Sequence, residues 1–381
     1  SLVLPGEVIE GCAVEGRIAA PRIITPSADR VRPVCGHYRA CGGCSLMHAS
    51  EQFTARWKQQ VVQTALAAQG LSAPEPVLHV SPLQSRRRAV LSGRRTKKGA
   101  TLGFHARASG VIVDLAGCHV LRPRIVAALP LLRRIVAAGA SRMGEVSVTV
   151  IDGPAGLDVA LRGGKPMDAA LFQTLAALAE EGDLARLDWD GQPMLRRPPL
   201  LPMGRAQVIP PPGAFLQATT EGEAALLHHV RQAVGGARRI ADLFSGLGTF
   251  ALPLAEGAAV HAVEGLAPPL AALDSAWRGA QGLHRITTEV RDLARRPLLA
   301  SELAGFDAIV IDPPRSGAAA QMTEIAAARV PDIASVSCDP VTFSNDARIL
   351  ADAGYRIREL AVVDQFRFSP HVEIVAALTL C

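Results

Sequence analysis

Several residues in the second half of this chain have the types and the spacing for chemistry. Ser337-Cys338-Asp339-Pro340 places a thiol at the end of an apolar run, and His371-Val372-Glu373 sets a carboxylate at the head of another. Asp312-Pro313-Pro314-Arg315 lies upstream of both. Before them comes a glycine-bearing turn, Asp242-Leu243-Phe244-Ser245-Gly246-Leu247-Gly248-Thr249. A thiolate forms covalent intermediates, and a neighbouring carboxylate moves protons. A lone cysteine is more often an inert, buried hydrophobe. The position of Cys338 at a strand end, just before Asp339-Pro340, favours a working thiol. Glu373, on its own stretch, reads equally as a base or as an edge-strand residue facing water, since a carboxylate in an apolar strand is costly without a partner.

Cys35, Cys41 and Cys44 follow a Cys-x5-Cys-x2-Cys spacing, with Cys118 further along. Four such thiolates suit a tetrahedral zinc ion or a [4Fe–4S] cluster, and spacing alone leaves both open. Cys12 and Cys381 have no evident partner. Seven unevenly spaced cysteines do not form a disulfide framework; they fit a reducing, cytoplasmic setting. From Pro76 to Val113, 38 residues carry no acid but include Arg86, Arg87, Arg88, Arg94, Arg95, Lys97, Lys98 and Arg107. Such a block neutralises phosphates, although a solvated basic hairpin reads the same way. The net charge of +5 and pI near 9.0 lean toward a polyanionic partner. No apolar run reaches membrane-spanning length, because Arg133 and Arg134 interrupt the nearest, Ile125 to Ala140.

The elements that must hold these residues change rhythm near residue 213. Before it, short β segments (Leu2-Val3-Leu4 and Glu7 to Glu10) precede the cysteine turn. A helix is predicted from Glu51 to Gln69, with Ser50 as N-cap and Phe53, Trp57 and Leu66 at helical spacing. An antiparallel sheet with helices near 123–138 and 167–181 should follow, then a Pro-rich boundary from Arg196 to Gly213. After it, helix Glu221–Val234 and strands 239–244, 259–264, 307–311, 334–337, 355–364 and 372–380 alternate with helical segments. That alternation predicts a doubly wound, mostly parallel sheet. Cys338 and Asp312 then fall on the edge where such sheets bind ligands. The turn 245–249 leads from a buried strand into a helix, and Glu264 ends the next strand, where an acid accepts ribose hydroxyls. Ala251 replaces the third glycine of a dinucleotide fingerprint, so a nucleoside ligand is favoured.

At these residues the chain resembles the uracil-C5 RNA methyltransferases, which make 5-methyluridine in ribosomal and transfer RNA. The resemblance rests on Asp-Leu-Phe-x-Gly-x-Gly (242–248), Val-Glu-Gly (263–265), Asp-Pro-Pro-Arg-x-Gly-Ala (312–318), Ser-Cys-x-Pro-x-Thr-Phe (337–343) and His-Val-Glu (371–373). It implies that Cys338 attacks C6 of a uracil, that C5 takes a methyl group from S-adenosylmethionine, and that Glu373 removes the C5 proton. It further implies cofactor contacts at Gln217, Phe244, Thr249, Glu264, Asp292 and Asp312. One branch of the family carries an iron–sulfur cluster on the cysteine spacing found here. By that resemblance Cys35, Cys41, Cys44 and Cys118 hold a [4Fe–4S] cluster, and ribosomal RNA is favoured over transfer RNA as the partner.

The fold so implied is α/β. A class I S-adenosylmethionine-dependent methyltransferase domain (Rossmann-like, residues 48–75 and 214–381) joins an α+β central iron–sulfur domain (29–47 and 76–213). A partial TRAM-like β-barrel segment (1–28) precedes both. The chain departs from the family at Ser245, usually Cys, and at Thr219, Thr249 and Asp339, each usually Asn. These departures put single cofactor contacts in question, Thr249 above all, but leave the thiol and the base. Two rivals stand beside this reading. One is a methyltransferase of cytosine C5 or of an exocyclic amine; the other is a non-catalytic RNA-binding or assembly factor on the same fold.

Overall fold

The computed structural model describes residues 2–18 and 21–381. Two sheets dominate it. The larger has eight strands in the spatial order Ile286–Val290, Ala259–Glu264, Arg239–Leu243, Ala308–Ile311, Asp332–Ser337, Glu373–Leu380, Tyr355–Asp364 and Val77–Val80. All of its strands run parallel except Glu373–Leu380, which is antiparallel to both neighbours. Side chains alternate between two cores, as the two-residue period of a strand demands. Ile240, Val310, Ala334 and Val336 enter the core under the Thr220–Ala233 helix, while Ala241, Leu243, Ile309 and Ile311 enter the opposite one.

That opposite core also takes Val62 and Leu66 from helix Glu51–Ala68. This helix starts where the sequence predicts, with Ser50 Oγ accepting from the Phe53 N–H at 3.1 Å. The edge strand Val77–Val80 belongs to the same sheet, although the domain division assigns it to the central unit. The reason is register: its backbone extends the ladder of Tyr355–Asp364, and Val77 and Val80 stay exposed, so the apolar pattern gives no signal.

The second sheet has seven strands, ordered Gln192–Leu195, Arg186–Trp189, Gly156–Arg162, Val146–Gly153, Arg88–Arg95, Ala100–His105 and Ile112–Asp114. It is antiparallel except for one parallel pair, Gly156–Arg162 with Arg186–Trp189, joined by helix Ala169–Glu181. That helix and Pro123–Gly139 cover one face over a core of Leu91, Val148, Val159 and Trp189. At the N-terminus, Val8–Glu10 pairs with Arg22–Thr25 and Ala13–Val14 with Arg17–Ile18, all antiparallel. Leu2 to Leu4, expected as β, form no strand; Leu4 instead donates its N–H to Glu7 at 2.8 Å. No closed barrel is present among the described residues, and residues 1, 19 and 20 of the expected 1–28 segment lie outside them.

Candidate active site

The direction of one strand assembles the site. The parallel strands end at Leu243, Glu264, Ile311 and Ser337 on one edge, and the antiparallel strand begins there at Glu373. Ser337 pairs with Ile374, and Glu373 with Val363, so the residues after Ser337 and before Ile374 meet. Glu373 therefore sits inside the sheet and is buried, which answers the ambiguity of its sequence context. Burial pushes its carboxyl up to about 8, with the charge of Asp312 adding to the rise and a Gln365 hydrogen bond and Arg315 opposing it. Burial also raises the Cys338 thiol; Glu373 and Asp312 add to this, and Arg315 pulls it down by charge and hydrogen bonding. Asp312 keeps some exposure as a residue, yet desolvation pushes its carboxyl up to about 7.

Local structure explains the sequence around these groups. Asp339 caps helix Pro340–Asp352, accepting from Val341 N–H at 2.9 Å and Thr342 N–H at 3.2 Å. An Asp there does a capping job that Asn would do equally. Pro340 occupies the first helical turn, where it costs no hydrogen bond. Cys338 is thereby held just ahead of a helix N-terminus, which favours the thiolate. The loop carrying Asp312 and Arg315 docks on that helix: Ala318 N–H donates to Asp346 Oδ2 at 2.9 Å, and Gly317 adopts φ +73°. A side chain at Gly317 would meet Asp346 at 3.0 Å, so this approach needs glycine.

The cradle forms at the adjacent strand end. Gly246 N–H and Leu266 N–H both donate to Glu264, each at 3.0 Å, which fixes that carboxylate at the loop. A Cβ on Gly248 would strike Leu273 at 2.8 Å. Phe244 takes φ +61° and is half-buried, as is Thr249. Asp242 is completely buried with neither oxygen hydrogen-bonded, and Ser245 Oγ is likewise buried without a partner. Burial, then the charge of Asp312, holds Asp242 well above the usual carboxylate range, despite the nearby Ala251 N–H. Gln217 is buried, and its amide oxygen accepts from Gln365 Nε2 at 2.6 Å. Asp292 is exposed and accepts from the N–H of Ala294 at 3.1 Å. Thr219 caps helix Thr220–Ala233 through Gly222 N–H, so its departure from Asn has a structural role.

Sequence reasoning missed Gln365 and the part played by Arg315. Gln365 touches both Gln217 and Glu373 and accepts from Ala218 N–H at 2.8 Å. Its only signal was a polar residue directly after a long apolar strand. Arg315 donates to His371 Nδ1 at 3.1 Å, leaving that nitrogen as the acceptor.

Cys35, Cys41, Cys44 and Cys118 line one cavity of about 560 Å³, which Arg86, Arg315 and His371 also line. Burial first, and then the neighbouring thiols, push Cys44 up to about 12 and raise Cys41. Burial lowers the pKa of Arg86, and the charges of Cys118 and Cys44 oppose that shift. Among the described residues, no group of three or more His, Cys, Asp or Glu side chains is disposed to hold a metal ion.

The basic block divides in two. Arg87 pairs with Glu223 at 2.5 Å in the interior, Arg88 donates to the Ala214 carbonyl at 2.9 Å, and Arg107 reaches the Cys44 carbonyl at 2.5 Å. Arg94, Lys97 and Lys98 stand exposed around the hairpin turn, with Arg95 partly so.

A family model described as tRNA (Uracil-5-)-methyltransferase matches residues 211–380. RNA methyltransferases of Caulobacter vibrioides and Brucella suis are 43% and 41% identical over 99% of this chain, covering 93% and 91% of their own lengths. The 23S rRNA (uracil(1939)-C(5))-methyltransferase RlmD of Halomonas elongata is 34% identical over 98% of the chain and 83% of its own. The chain belongs to the RNA uracil-C5 methyltransferase family. It is accordingly an enzyme, an RNA methyltransferase. Its α/β class I methyltransferase fold is shared with the Pyrococcus abyssi tRNA (uracil-54, C5)-methyltransferase solved with S-adenosyl-L-homocysteine. That match has a TM-score of 0.74 at 22% identity and covers 99% of this chain and 94% of the other. No helix among the described residues is long and apolar enough to cross a membrane.

Proposed function

We propose that this enzyme methylates C5 of a uracil in RNA through a covalent bond between Cys338 and C6. The observation that carries the reading is the meeting of Cys338 with Glu373, Arg315 and Asp312 at one sheet edge, each felt in the ionisation of the thiol. The Cys338 sulfur adds to C6, and the electron pair passes to C5, which becomes the carbon nucleophile that an unaided uracil lacks. S-adenosylmethionine, when bound, supplies the electrophilic methyl group. Glu373 then takes the proton from C5, and the returning pair expels the Cys338 sulfur from C6. A base near neutrality suits that step.

The cradle suits the cofactor. Asp242 and Ser245 present buried polar atoms without partners, Glu264 is fixed at the strand tip, and a Cβ at Gly246 would meet nothing within 4 Å, so the turn is open there. Gln217, Phe244, Thr249, Glu264, Asp292 and Asp312 are the residues proposed to hold it. The four thiols that line the cysteine cavity have the chemistry for an iron–sulfur cluster, which the cysteine spacing of the resembled branch favours over zinc. Cys35, Cys41, Cys44 and Cys118 are its proposed ligands, Arg86 offsets their charge, and its role is structural. The proposed domain division is a TRAM-like segment over 1–28, a central unit over 29–47 and 76–213, and a methyltransferase unit over 48–75 and 214–381, with strand Val77–Val80 of the central span completing the methyltransferase sheet. Ribosomal RNA is the proposed substrate, supported by the rRNA specificity in the Halomonas relative's name.

An RNA carrying 5-fluorouracil tests the reaction, because fluorine at C5 leaves no proton to remove and stalls the enzyme on its substrate. A cofactor-dependent complex that survives denaturation, and vanishes in Cys338→Ala, is expected. No such complex with either ribosomal or transfer RNA would sink the covalent route. A nucleoside digest of RNA from cells with and without the gene identifies the product and, on separated RNAs, the substrate.

A further inference from the structure

Glu373 follows a loop, Gln365 to Val372, that packs few apolar side chains of its own yet carries Gln365, His371 and the approach to the base. Something outside the loop must fix it. Lys58, on helix Glu51–Ala68, is completely buried and reaches it across more than three hundred residues of sequence. Its ammonium donates to Asp364 Oδ1 at 2.5 Å, to the His371 carbonyl at 2.9 Å and to the Phe366 carbonyl at 3.4 Å. An ammonium has three donors, and here two are spent on the loop and one on Asp364, the strand residue that leads into it. Asp364 and Phe366 flank Gln365, and His371 stands two residues before Glu373, so the contacts lie beside the base and the residue that touches it.

We propose that Lys58 is a positioning residue for the proton-abstraction step: it clamps the loop so that Gln365 and Glu373 face the C5 proton. The inference rests on the role proposed above for Glu373. A buried lysine is expensive, and burial does lower the pKa of Lys58, with Asp364 holding it charged. Stability alone does not explain such a pair, because an apolar pair of the same volume packs as well or better. Two carbonyls at opposite ends of a loop are what an apolar side chain could not hold.

The step-specific role gives a step-specific test. With uracil RNA and S-adenosylmethionine, wild type should form the covalent complex and resolve it at once, while Glu373→Gln should accumulate it. Lys58→Met should form the complex at the wild-type rate per folded molecule and resolve it on the order of ten-fold more slowly. Because Lys58→Met strands the Asp364 charge, the neutral pair Lys58→Met with Asp364→Asn is measured beside it. That pair should melt near wild type and show the same slow resolution. Wild-type resolution in the double variant, or formation and resolution falling together, overturns the proposal and leaves Lys58 a structural residue. If Glu373→Gln resolves normally while Cys338 still forms the complex, the assignment of the base fails first, and the positioning role fails with it.

Discussion

A carboxylate in an interior strand costs stability unless it is neutral, and Glu373 carries that cost at the sheet edge where it is proposed to act as the base. Its folded pKa, about 8, lies above its ordinary value of 4.5, so the fold binds this proton more tightly than the unfolded chain does. The preference is complete below about 4.5 and is lost as pH rises through about 8. Glu373→Gln should therefore match wild type in acid and exceed it by a few kcal/mol above pH 8, read from denaturant titrations at both pH values. The same variant should lose turnover. For wild type, the rate should climb with pH as Glu373 ionises, with the midpoint moved below 8 once a sulfonium binds nearby. Arg315 works on the thiol in the opposite sense. Its removal in Arg315→Met should raise the Cys338 pKa and slow peptide-resolved alkylation at pH 8, without changing alkylation at Cys12.

Elements matter here through their ends. The loop 312–318 reaches Cys338 only because Gly317 turns in the left-handed region and lets Asp346 hold the Ala318 N–H. Gly317→Ala combines an unfavourable φ with a close contact, and should cost about 1–2 kcal/mol in denaturant midpoint. The helix Glu51–Ala68 belongs to the sheet's core through Val62 and Leu66 and to the base through Lys58. Breaking its buried pair in Lys58→Met should cost about 3–5 kcal/mol, mostly from leaving Asp364 charged and alone.

At the scale of the molecule, the central sheet brings a cysteine cavity and a basic hairpin to the methyltransferase sheet. The two parts of the basic block should separate in experiment. Neutralising Arg94, Arg95, Lys97 and Lys98 together should weaken RNA binding and reduce its salt slope by up to about 3, with turnover at saturating RNA retained. Arg87→Met should instead destabilise the fold, since it leaves Glu223 buried without its partner. The cavity meets the active site at the loop 365–372: Ser45 and Leu46 donate to the Phe368 carbonyl at 2.7 and 2.9 Å, beside Cys44. If the proposed cluster occupies this cavity, Cys41→Ala should lower both bound iron and melting temperature; purified protein without iron would overturn the cluster proposal.

Much of this was written in local sequence. The alternation of strands and helices after residue 213, the glycine turn at 246–248 and the capped helix after Cys338 depend on neighbouring residues and on two- and 3.6-residue periods. Composition and spacing therefore determined the α/β class and singled out the candidate cradle, thiol and carboxylate, whose proposed roles the family resemblance supplied. What the sequence left open involved distant partners. The register of Val77–Val80 is a backbone property that exposed valines do not reveal. The partnership of Gln365 with Gln217, and of Lys58 with Asp364, spans 148 and 306 residues. Whether Glu373 faced water or the thiol depended on which strands flanked it, and only the reversed direction of that strand, inserted between Asp332–Ser337 and Tyr355–Asp364, put its first residue beside Cys338.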